Sequence, residues 1–379
     1  MNKLLMMIGA AAVVAGAYAD TVEINGVTWT FTASGSNVTL GGGTSSTQAM
    51  PTATALDAAD IPWTFTKDGT NYTVTAIATY AFESCSNLTG TLTIPASVTS
   101  MGDRAFQRTG ISGVASVGGI TTIPLYAFNE AKSLSSFTAD ISNVTKITYG
   151  AFQGAEQLAG GFYVPGNTLV GGKRLFRNSK LRVILFGPNT TAEKHTATED
   201  YGMLDRVTGC KVFVPAKLEW NGLDVDGIDT DVIWYGVTTN LNLSVDDVHG
   251  VITATPTDEA ALVKVLESAP LFKTNFGWNT RINVTNTIEV AAGTITAAML
   301  NAVEFNTMLL TFKVNTQAQL NSVLAAVPAS TYPLLAIDAS DAREELILPQ
   351  GREIYVRVSG DGKQGKYRPK INGLIISFF

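Results

Sequence analysis

The sequence predicts a β-rich solenoid of stacked coils with an N-terminal β cap, followed by a separate α/β or α+β domain. Three observations predict it. A block centred on Ala-Phe recurs at Ala81-Phe82, Ala105-Phe106, Ala127-Phe128 and Ala151-Phe152, with Leu175-Phe176 as a fifth copy, so the phenylalanines are 24, 22, 24 and 24 residues apart. Charged residues make up only 15% of the chain and Thr, Gly, Ala and Val are abundant, a composition that suits exposed β-structure. After about residue 237 the repeat stops, and helical periodicity alternates with short apolar runs.

The chain opens with Met1-Asn2-Lys3 and an apolar run from Leu4 to Val14. Ala17, Tyr18 and Ala19 then place small residues at the −3 and −1 positions of a cut before Asp20. A basic start, an apolar stretch and an A-x-A end read as an export signal over residues 1–19. The run is shorter than the roughly 20 residues a spanning helix needs. Removal would leave 360 residues with 25 basic and 32 acidic side chains, a net charge of −7. No later segment is long and apolar enough to span a bilayer. With no long basic block, the chain gains little from neutralising phosphates, so nucleic acid is excluded as an expected partner.

Residues 20–75 read as strands that cap the first coil. Val27-Thr-Trp29-Thr-Phe31 alternates apolar and polar, as does Trp63-Thr-Phe65, and Lys67-Asp-Gly-Thr-Asn71 is a hairpin turn. The Gly-, Ser- and Thr-rich stretch from Gly41 to Ala55 between them reads as a flexible loop.

Residues 76–236 read as the coils and their capping end. Five residues before each of the first four phenylalanines stands an apolar residue: Ile77, Met101, Ile123 and Ile147. Another follows five or six residues after each of the five: Leu88, Ile111, Leu134, Leu158 and Leu181. A short apolar segment comes next, as in Leu92-Thr-Ile-Pro95 and Phe162-Tyr-Val-Pro165, and a degraded sixth copy runs through Leu204 to Val212-Phe-Val-Pro215. A unit this short cannot bury its own apolar face. Stacking lets each Phe and Leu lie on its equivalent in the next coil. The five phenylalanines are therefore expected to form one buried ladder.

This pattern resembles the BspA-like bacterial leucine-rich repeat. Ile77-Ala-Thr-Tyr-Ala-Phe-Glu-Ser-Cys-Ser-Asn-Leu88 followed by Leu92-Thr-Ile-Pro-Ala-Ser-Val98 is close to that family's ideal unit, and the likeness covers roughly residues 60–215. The family's cysteine slot is filled only in the first copy, by Cys85, and the last copies decay. The resemblance implies a secreted or cell-surface protein, often adhesive in role.

Residues 238–379 resemble no family. Glu259 to Glu267 has helical spacing and Pro270 is expected to stop it; Asn315 to Ala326 repeats the pattern, and a third helix covers Ile295 to Val303. Strands are expected at Ile282–Val284, Leu309–Val314, Leu334–Ile337, Leu346–Leu348, Glu353–Val358 and Leu374–Phe378. Two L-x-x-V-L blocks imply a duplicated strand–helix unit.

Little in the chain speaks for catalysis. His195 and His249, its two histidines, lie 54 residues apart, so a histidine-based triad or a histidine zinc site lacks its material. Asp224, Asp226, Asp229 and Asp231 form the densest acidic cluster, a weak alternative as a calcium site. The EF-hand form fails, because its fifth, sixth and twelfth positions are Ile228, Asp229 and Tyr235. A solvated turn is the plainer reading, and no metal, cofactor or enzyme activity is expected. A row of outward residues on the coil strands, including Thr93, Thr138 and Tyr163, is the expected binding face for a protein or glycan ligand on another surface. A structural or surface-assembly role is the alternative, and a hydrolase within residues 238–379 the remote one. Cys85 and Cys210 lie in the first and sixth coils, about five strand spacings apart, and are not expected to bond to each other.

Overall fold

A computed structural model of the chain describes residues 19–171, 173–193, 202–216, 230–236, 239–284, 288–291, 293–307, 309–326, 334–338 and 355–357. The expected leader, His195, Asp224, Asp226, Asp229 and the expected strands Leu346–Leu348 and Leu374–Phe378 lie outside the described residues. The chain divides into two compact units, residues 1–143 with 148–156, and residues 144–147 with 157–379. The described part is mostly β, with three α-helices.

In the first unit, Val27–Ser34 forms a strand, as the alternation in Val27–Phe31 predicts, and pairs antiparallel with Asp20–Ile24 on one side and Asn37–Leu40 on the other. Trp29, Phe31, Val38 and Leu40 point inward and are buried. Thr64–Lys67 and Thr70–Ile77 make the expected hairpin. Its turn places Asp68 and Gly69 at φ of 49° and 76°, the pair of left-handed residues a tight hairpin turn demands. The stretch from Gly41 to Ala55 is irregular, as expected, yet it is tied down. Ala49 donates its N–H to Ala81 O (2.6 Å) and accepts from Thr30 N, and both Ala49 and Met50 are buried. Composition alone does not reveal that an alanine and a methionine anchor this segment to the cap and the first repeat.

The repeats begin with parallel pairing. Thr91–Ile94, Gly113–Val117 and Ser136–Phe137 form one parallel sheet, in which Leu92 pairs with Val114 and Val114 with Phe137, one repeat apart each time. The turns are held by a second set of bonds. Tyr80, Phe82 and Ser84 donate their N–H groups to Asp103, Ala105 and Gln107 O. Arg104, Phe106 and Arg108 donate to Leu125, Ala127 and Asn129 O; Tyr126, Phe128 and Glu130 donate to Tyr149, Ala151 and Gln153 O. All nine bonds are 2.7–3.2 Å long. Every second N–H can face the next copy because the backbone turns left-handed at two places in each block: Tyr80 and Ser84, Arg104 and Arg108, Tyr126 and Glu130, Gly150 and Gly154. A non-glycine residue there costs roughly 1–2 kcal/mol. The three inter-copy bonds per turn offset it by leaving no N–H of the row unpaired.

Inside, Phe82, Phe106, Phe128 and Phe152 are fully buried and stacked. Successive centroids are 5.0, 5.7 and 5.5 Å apart, with planes within 14° of parallel. Beside them runs a side-chain amide chain. Gln107 Nε2 donates to Asn129 Oδ1 (2.6 Å), and Asn129 Nδ2 donates to Gln153 O (2.8 Å).

In the second unit, Ala159–Val164, Lys180–Phe186, Cys210–Pro215 and Thr230–Tyr235 form a parallel sheet. Phe176, the fifth aromatic of the block, is buried here against Phe162 at 4.7 Å. One face of this sheet carries Gly161, Tyr163, Val183, Leu185, Phe213, Ile233 and Tyr235. Helix α1 (Glu259–Phe276) packs on it, and a single buried cluster runs from Val183, Leu185 and Phe213 through Leu262, Leu266 and Phe272 to Ile282, Val290, Phe312 and Leu324. Within this unit, buried residues of 238–326 share a core with the sheet before them, so the separateness expected of residues 238–379 is not shown. The reason is visible in Val183 and Leu185, which leave the repeat strand Lys180–Phe186 apolar on both faces. A strand buried on both sides needs a covering layer.

Pro270 does not stop α1. It sits on the exposed side of the helix, while Leu266, Ala269 and Phe272 keep the buried face continuous across it. The loss of one N–H is outweighed by that burial. Gly277, left-handed at φ 73°, ends the helix instead by donating to Lys273 O. At the other end Asp258 Oδ1 accepts from Ala261 N (2.8 Å). Asp258→Ala is expected to lower stability by about 1 kcal/mol, the usual value of an N-cap. Thermal melting checks this, and a change indistinguishable from zero would mean the cap is not formed.

A strand–strand–helix unit occurs twice after α1, although the two L-x-x-V-L blocks that suggested a duplication fall in α1 and in Gln317–Ala326 and not in its first copy. Asn279–Asn283, Ile288–Ala291 and α2 (Ala297–Asn301) are followed by Val303–Thr307, Leu309–Lys313 and α3 (Gln317–Ala326), then by Leu334–Asp338 and Tyr355–Arg357. Equivalent strands pair in parallel, Thr280 with Val303 and Glu289 with Thr311. Cross-pairs Arg281–Glu304 (3.2 Å) and Glu289–Lys313 (2.9 Å) bridge them.

Candidate binding faces

The sheet formed by Thr91–Ile94, Gly113–Val117 and Ser136–Phe137 has one apolar face inside and one polar face outside. Leu92, Ile94, Val114 and Val117 are buried, whereas Thr91, Thr93, Ser136 and Thr138 are exposed. Register aligns Thr91 with Gly113 and Gly113 with Ser136, and aligns Thr93 with Ser116. Thr138 continues the row, donating its N–H to Val114 O at 2.9 Å. None of the three strands carries a titratable side chain, so the face is uncharged.

Gly113 makes a dip in this face. A Cβ at that position would lie 2.9 Å from Ser136 Oγ and 3.3 Å from Thr91 Oγ1, so the two hydroxyls converge over the glycine backbone. Ser116 Oγ is taken up by Ile94 O (2.7 Å). The arrangement offers neutral donors and acceptors on a flat support, chemistry that matches sugar hydroxyls or peptide amides.

Tyr163, expected on an outward row, has a different setting. It is half-buried in the second unit, its ring 4.9 Å from Trp278 and edge-on to it. Burial, reinforced by the charge of Asp247, pushes its phenol up to about 12. The sequence window around Tyr163 carries no sign of Trp278, which comes from a turn more than one hundred residues later.

Asp231, the described member of the acidic cluster, is exposed and accepts from Lys211 Nζ at 3.0 Å. Lys211 also reaches Glu267 of α1 at 3.1 Å. Partial burial works against the lysine's charge, but the two carboxylates more than offset it and hold its pKa above the usual lysine range. Asp231 thus serves in an ion-pair network that fastens α1. His249 is exposed and its Nδ1 lies 2.8 Å from Asp246 Oδ2, at the turn after Leu241–Asp246. Among the described residues no group of three or more His, Cys, Asp or Glu is placed to share a metal ion.

Cys85 and Cys210 are both free and buried, and burial pushes each thiol up to about 12. Both are expected to stay unreacted with Ellman's reagent at pH 8 until the chain is unfolded, since only the thiolate attacks. Non-reducing mass spectrometry recovering a peptide that joins Cys85 to Cys210 would contradict this.

Sequence reading missed the paired left-handed residues that flank each Ala-Phe. Their signal was present in one copy, where Gly150 and Gly154 stand four apart around Ala151-Phe152.

Parallel strands one repeat apart, a row of inter-copy turn bonds and a stacked phenylalanine column define a repeat protein built of short, mutually supporting copies. Residues 65–189 match the BspA type leucine rich repeat region in six copies, and this part of the chain belongs to that family. None of the curated proteins compared with the chain matches it. Among solved structures, a leucine-rich repeat protein from Bacteroides ovatus is similar at 12% identity and a TM-score of 0.29, covering 91% of this chain and 89% of that one. A leucine rich cell surface protein from Faecalibacterium prausnitzii is similar at 14% identity and a TM-score of 0.30, with coverages of 82% and 98%. The pneumococcal vaccine antigen PcpA is similar at 13% identity and a TM-score of 0.30, with coverages of 95% and 99%. Among the described residues, no helix is long and apolar enough to cross a membrane.

Proposed function

We propose that this chain is an exported, non-enzymatic binding scaffold that presents its repeats to a protein or glycan ligand on another surface. The single observation that carries the reading is the uncharged hydroxyl face of Thr91, Thr93, Ser136 and Thr138, exposed on a sheet whose other face is a packed core. A rigid support with regularly spaced donors suits recognition, because little ordering entropy remains to be lost on binding. Residues 1–19 act as the export signal in this reading and 20–75 as the cap. Residues 76–236 supply the coils of a solenoid, and 238–379 cover the last repeat strands. Tyr163 supports the covering layer.

The test is a glycan-array and immobilised-protein screen of the mature chain, followed by Thr93→Arg with Thr138→Arg. Loss of the captured ligand by the double variant, with an unchanged melting temperature, supports the reading. Undiminished capture by the double variant overturns the assignment of this face.

A further inference from the structure

We propose that Tyr80, Arg104 and Tyr126 form a site for one carboxylate carried on a sugar, the acid group of a uronic or sialic acid residue. The site lies on the turn side of the first unit and does not depend on the hydroxyl face. The three residues occupy the same slot in successive repeats, each immediately before Ala-Phe. All are left-handed, at φ of 62°, 58° and 55°, and the turn bonds of Tyr80 to Asp103 and Arg104 to Leu125 fix their register. Their side chains are neighbours as a result. The Arg104 guanidinium carbon is 5.7 Å from the centre of the Tyr80 ring and 5.3 Å from that of Tyr126. Tyr149 backs Tyr126 edge-on at 5.4 Å.

The charge balance around this cluster is uneven. Arg108 is paired with Glu130 at 2.8 Å and Lys132 with Glu156 at 3.0 Å. Arg104 has no carboxylate within ion-pair distance among the described residues. The neighbouring Asp103 turns a carboxylate oxygen to Leu125 N (3.2 Å). Arg104 is thus a half-buried cation whose guanidinium lies over two aromatic rings and pairs with no carboxylate among the described residues.

Its guanidinium decides the ligand. A guanidinium held against aromatic rings keeps its planar fork of N–H donors, which matches a planar carboxylate in the two-bond geometry. Aromatic rings are positive at their edges, so the flanking tyrosines add to an anion-attracting rim, and their hydroxyls can exchange hydrogen bonds with those of a sugar. An acidic peptide fits less well. It brings several negative charges to a single fork, next to exposed Asp103 and half-exposed Glu83 and Glu130, on a chain of net charge −6. One acid flanked by neutral hydroxyls meets one fork flanked by two phenols.

The experiment is calorimetric titration of the mature full-length chain with trigalacturonate and 3′-sialyllactose, against maltotriose, lactose and a hexaglutamate peptide. At least one acid sugar is expected to bind roughly tenfold or more tighter than its neutral counterpart, and Arg104→Gln is expected to remove that preference. Tyr126→Phe, which deletes only a hydroxyl, weakens binding less and serves as the comparison if Arg104→Gln melts early. Lys132→Gln, which removes a cation already paired with Glu156, leaves acid-sugar binding unchanged and separates a site at Arg104 from a general effect of charge. Acid sugars binding no tighter than neutral ones overturn the proposal. So does an unaffected Arg104→Gln, or hexaglutamate binding tighter than both acid sugars.

Discussion

Phe128→Ala is expected to destabilise the first unit by about 3–5 kcal/mol, the range for truncating a fully buried aromatic. The ring has no exposed surface. It is sandwiched between Phe106 at 5.7 Å and Phe152 at 5.5 Å, and Phe137 meets it edge-on at 6.1 Å. The cavity left by the substitution would lie in the middle of the column, where the inter-copy turn bonds of Phe106, Phe128 and Glu130 hold the backbone against collapse. Little relaxation is therefore available, which places the cost high in the range. Urea unfolding followed by tyrosine and tryptophan fluorescence measures it. A shift within about 0.5 kcal/mol, typical of a surface site, would mean the column is not formed.

Gly161→Leu is expected to cost about 1–3 kcal/mol, the penalty for forcing volume into a closed contact. A Cβ on Gly161 would sit 2.5 Å from Phe276 Cε1 and 2.8 Å from Asn275 Cβ, at the end of α1 where it lies over the strand Ala159–Val164. The substitution separates two arrangements. If α1 covers the sheet, added volume must push the helix away and expose part of the Phe213–Phe272 contact, whose centroids are 5.0 Å apart. If residues 238–379 folded apart from the strands, position 161 would face water, and leucine would be neutral or mildly favourable in a strand. A melting temperature unchanged from the parent chain would decide for the second arrangement.

The repeats were legible in the sequence because their determinants are local and periodic. Ala-Phe at a fixed spacing, an apolar residue before and a leucine after, each reach burial without reference to a distant part of the chain. Phe82 to Phe152 are stacked as that spacing implies. Pairing of Leu92 with Val114 follows from the same period. The second unit was less legible, because its decisive contacts join residues that no window contains. Leu185 and Phe213 belong to the same core as Leu266 and Phe272, and nothing around Val183 or Leu185 names the helix that will cover them. Pro270 misled for a similar reason. Its local meaning is a stop, but the helix is held by a buried face running from Ala261 to Phe272, to which an outward proline is no obstacle.

The candidate sites divide in the same way. Thr93 and Thr138 could be placed outward from strand alternation alone, and both are exposed. Tyr163 followed the same alternation, but the face it points to is occupied by Trp278. Arg104 drew no notice in the sequence, since a lone basic residue in a turn is ordinary. Its two tyrosine neighbours lie 24 and 22 residues away, and only the stacking of copies brings them together.

The nine turn bonds of the first unit also bear on how the chain would respond to pulling. Each repeat is joined to the next by its own row of three, together with short parallel strands, and the backbone crosses from copy to copy only once. A load applied through the termini would therefore act on one row at a time rather than on all of them at once. Each row that gave way would release one copy of 22 or 24 residues, roughly 80 Å of extended chain. A molecule held between two surfaces in moving fluid would then lengthen in steps, dissipating the pull while the copies still in place kept their faces intact.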